Sequence, residues 1–259
     1  MDLKILSFNK TLFKKFGIVD DKGEAKAPQT WQDVYNAAKI ITEKGQGKIY
    51  GFGAPLKWDS YSMNGLLPQA EPSTGIWRGF DFRTGKYNFS AYKPVIEIMN
   101  KMYKEKLFFP GAEGLENDSL RAHFAEGNIG IVTGASWDVG VYNTQFVPKD
   151  DWGVCEPIYL EGQPKYKEGI KSETLLTISK NAQPKIDKVM EVYKFIAGEK
   201  FLIPAYESAS WIPSEKLVAK ATKAPDKKGF AEFAKPDKGI VLSVDPTGLL
   251  SIKGDNYNS

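Results

Sequence analysis

FAEGNIGIVTGASWDVGVY, residues Phe124–Tyr142, reads as the end of a helix, a short buried strand, a tight turn and a new helix. Ile129, Ile131 and Val132 make the apolar run, and Gly127 supplies a helix stop before it. Gly134-Ala135-Ser136 lets the backbone turn sharply and come close to another surface. Trp137 and Asp138 follow at once, where strand hands over to helix. A helix start offers N–H groups to polar ligands, and Trp137 sets a flat apolar face beside them. On spacing alone Trp137 reads as a core residue covering the strand end, because most tryptophans are largely buried.

Composition narrows the function classes. The chain has 259 residues, enough for one large domain or two small ones. Its net charge is +3 with both signs scattered, so no nucleic-acid footprint is expected. The single Cys155 excludes an intrachain disulfide, and the single His123 leaves no material for a classical zinc site or a Ser-His-Asp triad. His123 sits in the expected helix Ser119–Glu126 and reads as structural or surface. No apolar run is long enough to span a bilayer, and no signal peptide precedes the first periodic segment. The strand pattern of Leu3–Phe8 begins at once, as in a chain cut within a fold. Six Trp, twelve Tyr and fifteen Phe suit sugar recognition, and equally a well-filled core.

Several segments carry their own local logic. Leu12, Phe13 and Phe16 predict a short amphipathic helix closed by Gly17. Thr30 and Asp33 form a capping-box pair, with Trp31, Val34, Ala38 and Ile41 at helical spacing and Gly45 ending the helix. Trp31 is therefore a packing residue. Phe80–Phe89 predicts a hairpin turning at Thr84-Gly85-Lys86, and Ser90–Lys106 a helix with Val95, Ile98, Met99 and Met102 inward. Asp118 or Ser119 is expected to cap the next helix. Strands near 5–8, 49–53, 129–133 and 152–156 are expected to share one mixed sheet with helices on both sides. Gln163–Gly169 reads as a linker, Lys171–Ser179 as a strand, and Ile240–Val244 as a short strand in a Lys/Pro/Gly-rich tail.

The order of these segments resembles the extracellular solute-binding proteins of carbohydrate ABC importers, the maltose-binding-protein-like family. Phe124, Gly127, Gly134 and Trp137 stand in the order of that family's approach to its ligand cleft. Asn9–Gly17 resembles the segment after its first crossing between lobes, with Phe8 where tyrosine is usual. Pro28–Asp33, Trp152–Pro157, Pro184–Gly198 and Ser208–Pro213 are similar to its next helix start, a strand, a helix and a final crossing. The resemblance covers residues 3–222 and thins beyond.

It implies an α/β fold: a periplasmic-binding-protein-like lobe with a mixed sheet, helices on both faces, and a second lobe left incomplete. Residues 1–168 and 213–259 would form the C-terminal-type lobe. Residues 169–212 would be the return segment of the otherwise missing N-terminal-type lobe. The implied function is a non-enzymatic extracellular receptor that delivers an oligosaccharide to permease subunits and their ATPase. No cofactor and no metal are implied. The implied location is extracellular or periplasmic, with the membrane touched only through a lipid anchor on the missing N-terminus, as in a Gram-positive lipoprotein.

Trp137 would then stack on a sugar ring, with Trp58, Trp77 and Trp211 as further platforms. Asp138, Asp59, Tyr61, Asn64 and Glu173 would meet hydroxyls, with Ser172 at the cleft border. Each has a plainer reading: Trp58–Asn64 as a helix opening with inward aromatics, Glu173 as an exposed strand-end charge. A glycoside hydrolase is the alternative, using carboxylates among Asp59, Asp138 and Glu173. A cell-surface interaction module is a third.

Overall fold

β5, the strand expected in Phe124–Tyr142, spans Ile129–Ala135 and is buried at every position. The computed structural model describes residues 4–57, 71–76, 79–81, 83–155, 158–163, 168–170, 178–208, 217, 219–223, 227–229 and 240–242. In chain order the elements are β1 (Lys4–Asn9), α1 (Lys10–Phe16), α2 (Trp31–Gly45), β2 (Tyr50–Gly53) and the single turn α3 (Glu71–Thr74). There follow β3 (Phe80–Asp81), β4 (Lys86–Tyr87), α4 (Lys93–Lys104), α5 (Asn117–Ala125), β5 and α6 (Ser136–Thr144). Then come β6 (Trp152–Val154), β7 (Glu168–Ile170), α7 (Ile186–Ile196), α8 (Glu199–Glu207) and β8 (Ile240–Leu242).

Four strands make one mixed sheet in the order β2-β5-β1-β6. β1 runs antiparallel to both β5 and β6, and β2 parallel to β5. Alternate residues of β1 face opposite ways, so the sheet has an apolar layer on each side. Leu6 and Phe8 join Phe13, Trp31, Val34, Phe52 and Met102 in a core under α1, α2 and α4. Ile5 joins Val132, Phe124, Val139, Tyr142 and Trp152 in a second core under α5 and α6. This is the expected two-sided α/β lobe.

Local chemistry sets the boundaries. Asn9 caps α1 by accepting the Leu12 N–H at 2.9 Å, and Gly17 closes it in the left-handed region at φ 83°. Thr30 Oγ1 accepts the Asp33 N–H at 3.0 Å while Asp33 Oδ2 accepts the Thr30 N–H at 3.0 Å, the reciprocal box read from sequence. Trp31, next to it, is fully buried.

Gly45 ends α2 as expected, and Gln46 after it takes the left-handed cap at φ 50°. Two expectations are corrected. Neither Asp118 nor Ser119 caps α5, because the helix already starts at Asn117 after Glu116; Asp118 instead pairs with Arg121 one turn on. The linker stretch is shorter than Gln163–Gly169, since β7 begins at Glu168 and pairs in parallel with β8. α8 has no matching sequence signal, because Pro204 sits inside it and proline reads as a breaker. Tyr206 of α8 reaches the second core. Of the expected strand Lys171–Ser179, residues 171–177 lie outside the described residues.

Cys155 follows β6 and is buried, and desolvation pushes its thiol well above the ordinary range. The thiolate is the reactive form, so Cys155 is expected to label with a disulfide reagent only as fast as the chain opens. Labelling in native buffer as fast as in denaturant would refute that burial.

Candidate ligand-binding edge

Because β1 alone runs against the others, β2, β5 and β6 deliver their C-terminal ends to one edge of the sheet. Open α/β sheets commonly bind ligands outside that edge. At the end of β5 the chain passes through extended Ala135, at φ −138° and ψ 169°, straight into α6. Alanine has no side chain to cap a helix. The missing cap is replaced from inside the first turn: Asp138 Oδ2 accepts the Ala135 N–H at 2.7 Å.

Asp138 is buried, which a carboxylate tolerates only when paired. Its partner is Arg121 on α5. Nε and Nη2 of Arg121 both donate to Asp138 Oδ1, at 2.8 and 2.5 Å, and Nη1 donates to Asp118 Oδ1 at 2.7 Å. Gly134 leaves room for this carboxylate, since a Cβ there would stand 2.8 Å from Asp138 Oδ2. Sequence reasoning missed Arg121. The Asp118/Arg121 spacing was a readable signal, but the partner 17 positions away was not.

Trp137 lies between these anchors and is 43 % exposed. Trp31 and Trp152, by contrast, are buried in the two cores. The reading of Trp137 as a buried strand-end cover therefore does not describe it. Trp58, Asp59, Tyr61, Asn64, Trp77, Ser172, Glu173 and Trp211 all lie outside the described residues. The chain leaves β2 for Trp58 through Ala54–Lys57, held by the Leu56 N–H to Ala112 O bond at 3.0 Å and a Lys57–Glu116 ion pair.

His123 packs its ring against Phe109 at 4.2 Å between centroids and lies 3.6 Å from Glu126, which is a structural setting. Among the described residues no group of three His, Cys, Asp or Glu is placed to hold a metal ion. Among them, too, no helix is long and apolar enough to cross a membrane.

Comparison with known proteins adds the wider frame. Residues 4–201 match the family model described as bacterial extracellular solute-binding protein. The sn-glycerol-3-phosphate-binding periplasmic protein UgpB of Brucella melitensis is 22 % identical over 225 residues, 86 % of this chain and 49 % of that protein. The chain thus spans about half the length of the curated relative it matches. A sugar transporter from Bacillus licheniformis, solved with stachyose, superposes with a TM-score of 0.57 at 17 % identity, over 93 % of this chain and 60 % of that one. The cyclic alpha-maltosyl-1,6-maltose binding protein of Arthrobacter globiformis gives 0.63 at 14 % identity, over 93 % and 59 %. At such identities the likeness establishes the fold and not the ligand.

Proposed function

Because the chain belongs to the bacterial extracellular solute-binding protein family, we propose that it is part of a receptor that binds a carbohydrate and hands it to an ABC importer. The observation that carries this is Trp137, an exposed indole held at the C-terminal edge of a buried strand. Sugar rings present apolar faces that stack on aromatic planes, while their hydroxyls need polar partners nearby. The named relatives bind hydroxyl-rich molecules, an oligosaccharide and a glycerol phosphate among them.

In this reading the protein works outside the cytoplasm, with permease subunits as its partners and a lipid anchor as one means of staying at the membrane. It binds without turnover. The hydrolase alternative is disfavoured at its one described carboxylate, since Asp138 is buried and committed to Arg121. In the same reading residues 1–168 and 213–259 would make one lobe and 169–212 would belong to a second, with Tyr206 and the β7–β8 pairing as contacts that tie the two segments together. Supporting this, α7 buries none of its residues, and Val192 and Phe195 are 58 % and 52 % exposed. Its Val189, Tyr193 and Ile196 are partly buried. An apolar face of this kind is ordinarily covered by a partner surface.

Calorimetry with stachyose, maltotriose and sn-glycerol-3-phosphate tests the reading, run on this chain and on the whole protein. Binding without products is expected, far weaker for this chain because hinged receptors take contacts from both lobes. Trp137→Ala in the whole protein is expected to weaken binding by about 1–3 kcal/mol, the worth of a buried aromatic contact. Unchanged affinity in a folded Trp137→Ala variant would remove it from the site, and chromatographic detection of cleaved sugar would favour the hydrolase.

A further inference from the structure

We propose that Arg121 is a positioning residue for Trp137, acting through Asp138; that Trp137 meets a ligand rests on the function proposed above. The first turn of a helix has N–H groups without intrahelical partners, so its attitude depends on what ties it down. At α6 the residue before the helix is Ala135, which has no side chain to cap with. The tie comes from Asp138 instead. One of its oxygens holds the Ala135 N–H at the end of β5, and the other holds two N–H groups of the Arg121 fork on α5.

Two donors on one oxygen fix the orientation of the carboxylate as well as its distance. The third arm of the fork is bound to Asp118 on Arg121's own helix, which stops the guanidinium from swinging. Three elements, α5, β5 and α6, thus meet at one carboxylate, and Trp137 is the residue immediately before it. A lysine at 121 would keep the charge but not the planar fork. It would hold Asp138 in place without fixing the turn that presents the indole.

The test is fluorine NMR on the 259-residue chain labelled with 5-fluorotryptophan. Trp137→Phe, Trp31→Phe and Trp152→Phe assign three of the resonances. In Arg121→Lys the Trp137 signal is expected to shift and broaden while those of Trp31 and Trp152 stay in place. In the whole protein the same variant is expected to weaken stachyose binding roughly tenfold, the scale of one lost hydrogen bond to a charged group. Should Arg121→Lys fail to fold, Asp138→Asn, which keeps the side-chain shape, is expected to move the Trp137 signal in the same selective way. An unmoved Trp137 resonance in folded Arg121→Lys would overturn the inference. So would parallel changes at all three tryptophans in both variants, because Arg121 would then support the core at large. A Trp137 signal that ignores stachyose in the unsubstituted whole protein would count against the ligand-binding reading. The sugar-free spectra judge the coupling separately.

Discussion

Gly51→Ala is expected to destabilise the chain by about 3 kcal/mol or more, at or beyond the upper end of ordinary overpacking. A Cβ built on Gly51 falls 2.0 Å from the carbonyl oxygen of Ala38 and 2.2 Å from its Cα. Those are backbone atoms of α2, so no rotamer change relieves the clash. The helix itself would have to rise off the sheet. That movement would loosen Trp31, Val34 and Ile41, which fill the core beneath it. The same exchange at Gly140 in α6 meets nothing within 4 Å. There alanine is expected to stabilise by up to about 1 kcal/mol, because glycine is the poorer helix former. Urea unfolding followed by circular dichroism reads both. Equal midpoints for the two variants would show that α2 does not sit against β2 as described.

Arg121→Met is expected to cost about 3–5 kcal/mol, because it leaves a buried carboxylate without its counter-charge. The side chains of Arg121 and Asp138 are 15 % and 4 % exposed, so water offers little relief. Removing both charges at once is a different matter. The double variant Arg121→Met/Asp138→Leu removes both charges of this pair, and it leaves the Ala135 N–H without the carboxylate that accepted it. An unsatisfied buried donor costs about 1–3 kcal/mol, so the double variant is expected to be more stable than Arg121→Met alone. Additive losses, with the double variant the weakest, would mean that the two side chains stabilise the fold independently.

Much of the secondary structure was legible because its signals are local. The Thr30/Asp33 box, the Gly17 stop and the burial of Trp31 all follow from spacings of a few residues. The missed α8 helix shows the limit. Pro204 carries a strong local signal against a helix, yet the segment is helical and its Tyr206 packs into the second core. The candidate edge was legible in outline, since Gly134-Ala135-Ser136 marked the handover from strand to helix. The exposure of Trp137 was not, because periodicity over one turn gives no view of what stands in front of a side chain.

By itself, then, the sequence determined where most of the helices and strands lie, which of their faces are apolar, and the family order of its segments. Those properties depend on contacts within a turn or two of chain. The tertiary structure alone decided the strand order β2-β5-β1-β6, the pairing of β7 with β8 and the bond from Asn9 to Asp150 across 141 positions. It also decided that Asp138 faces Arg121. A carboxylate at a helix start reads from sequence as a cap or a ligand contact alike; which one it becomes depends on a cation brought up by another helix.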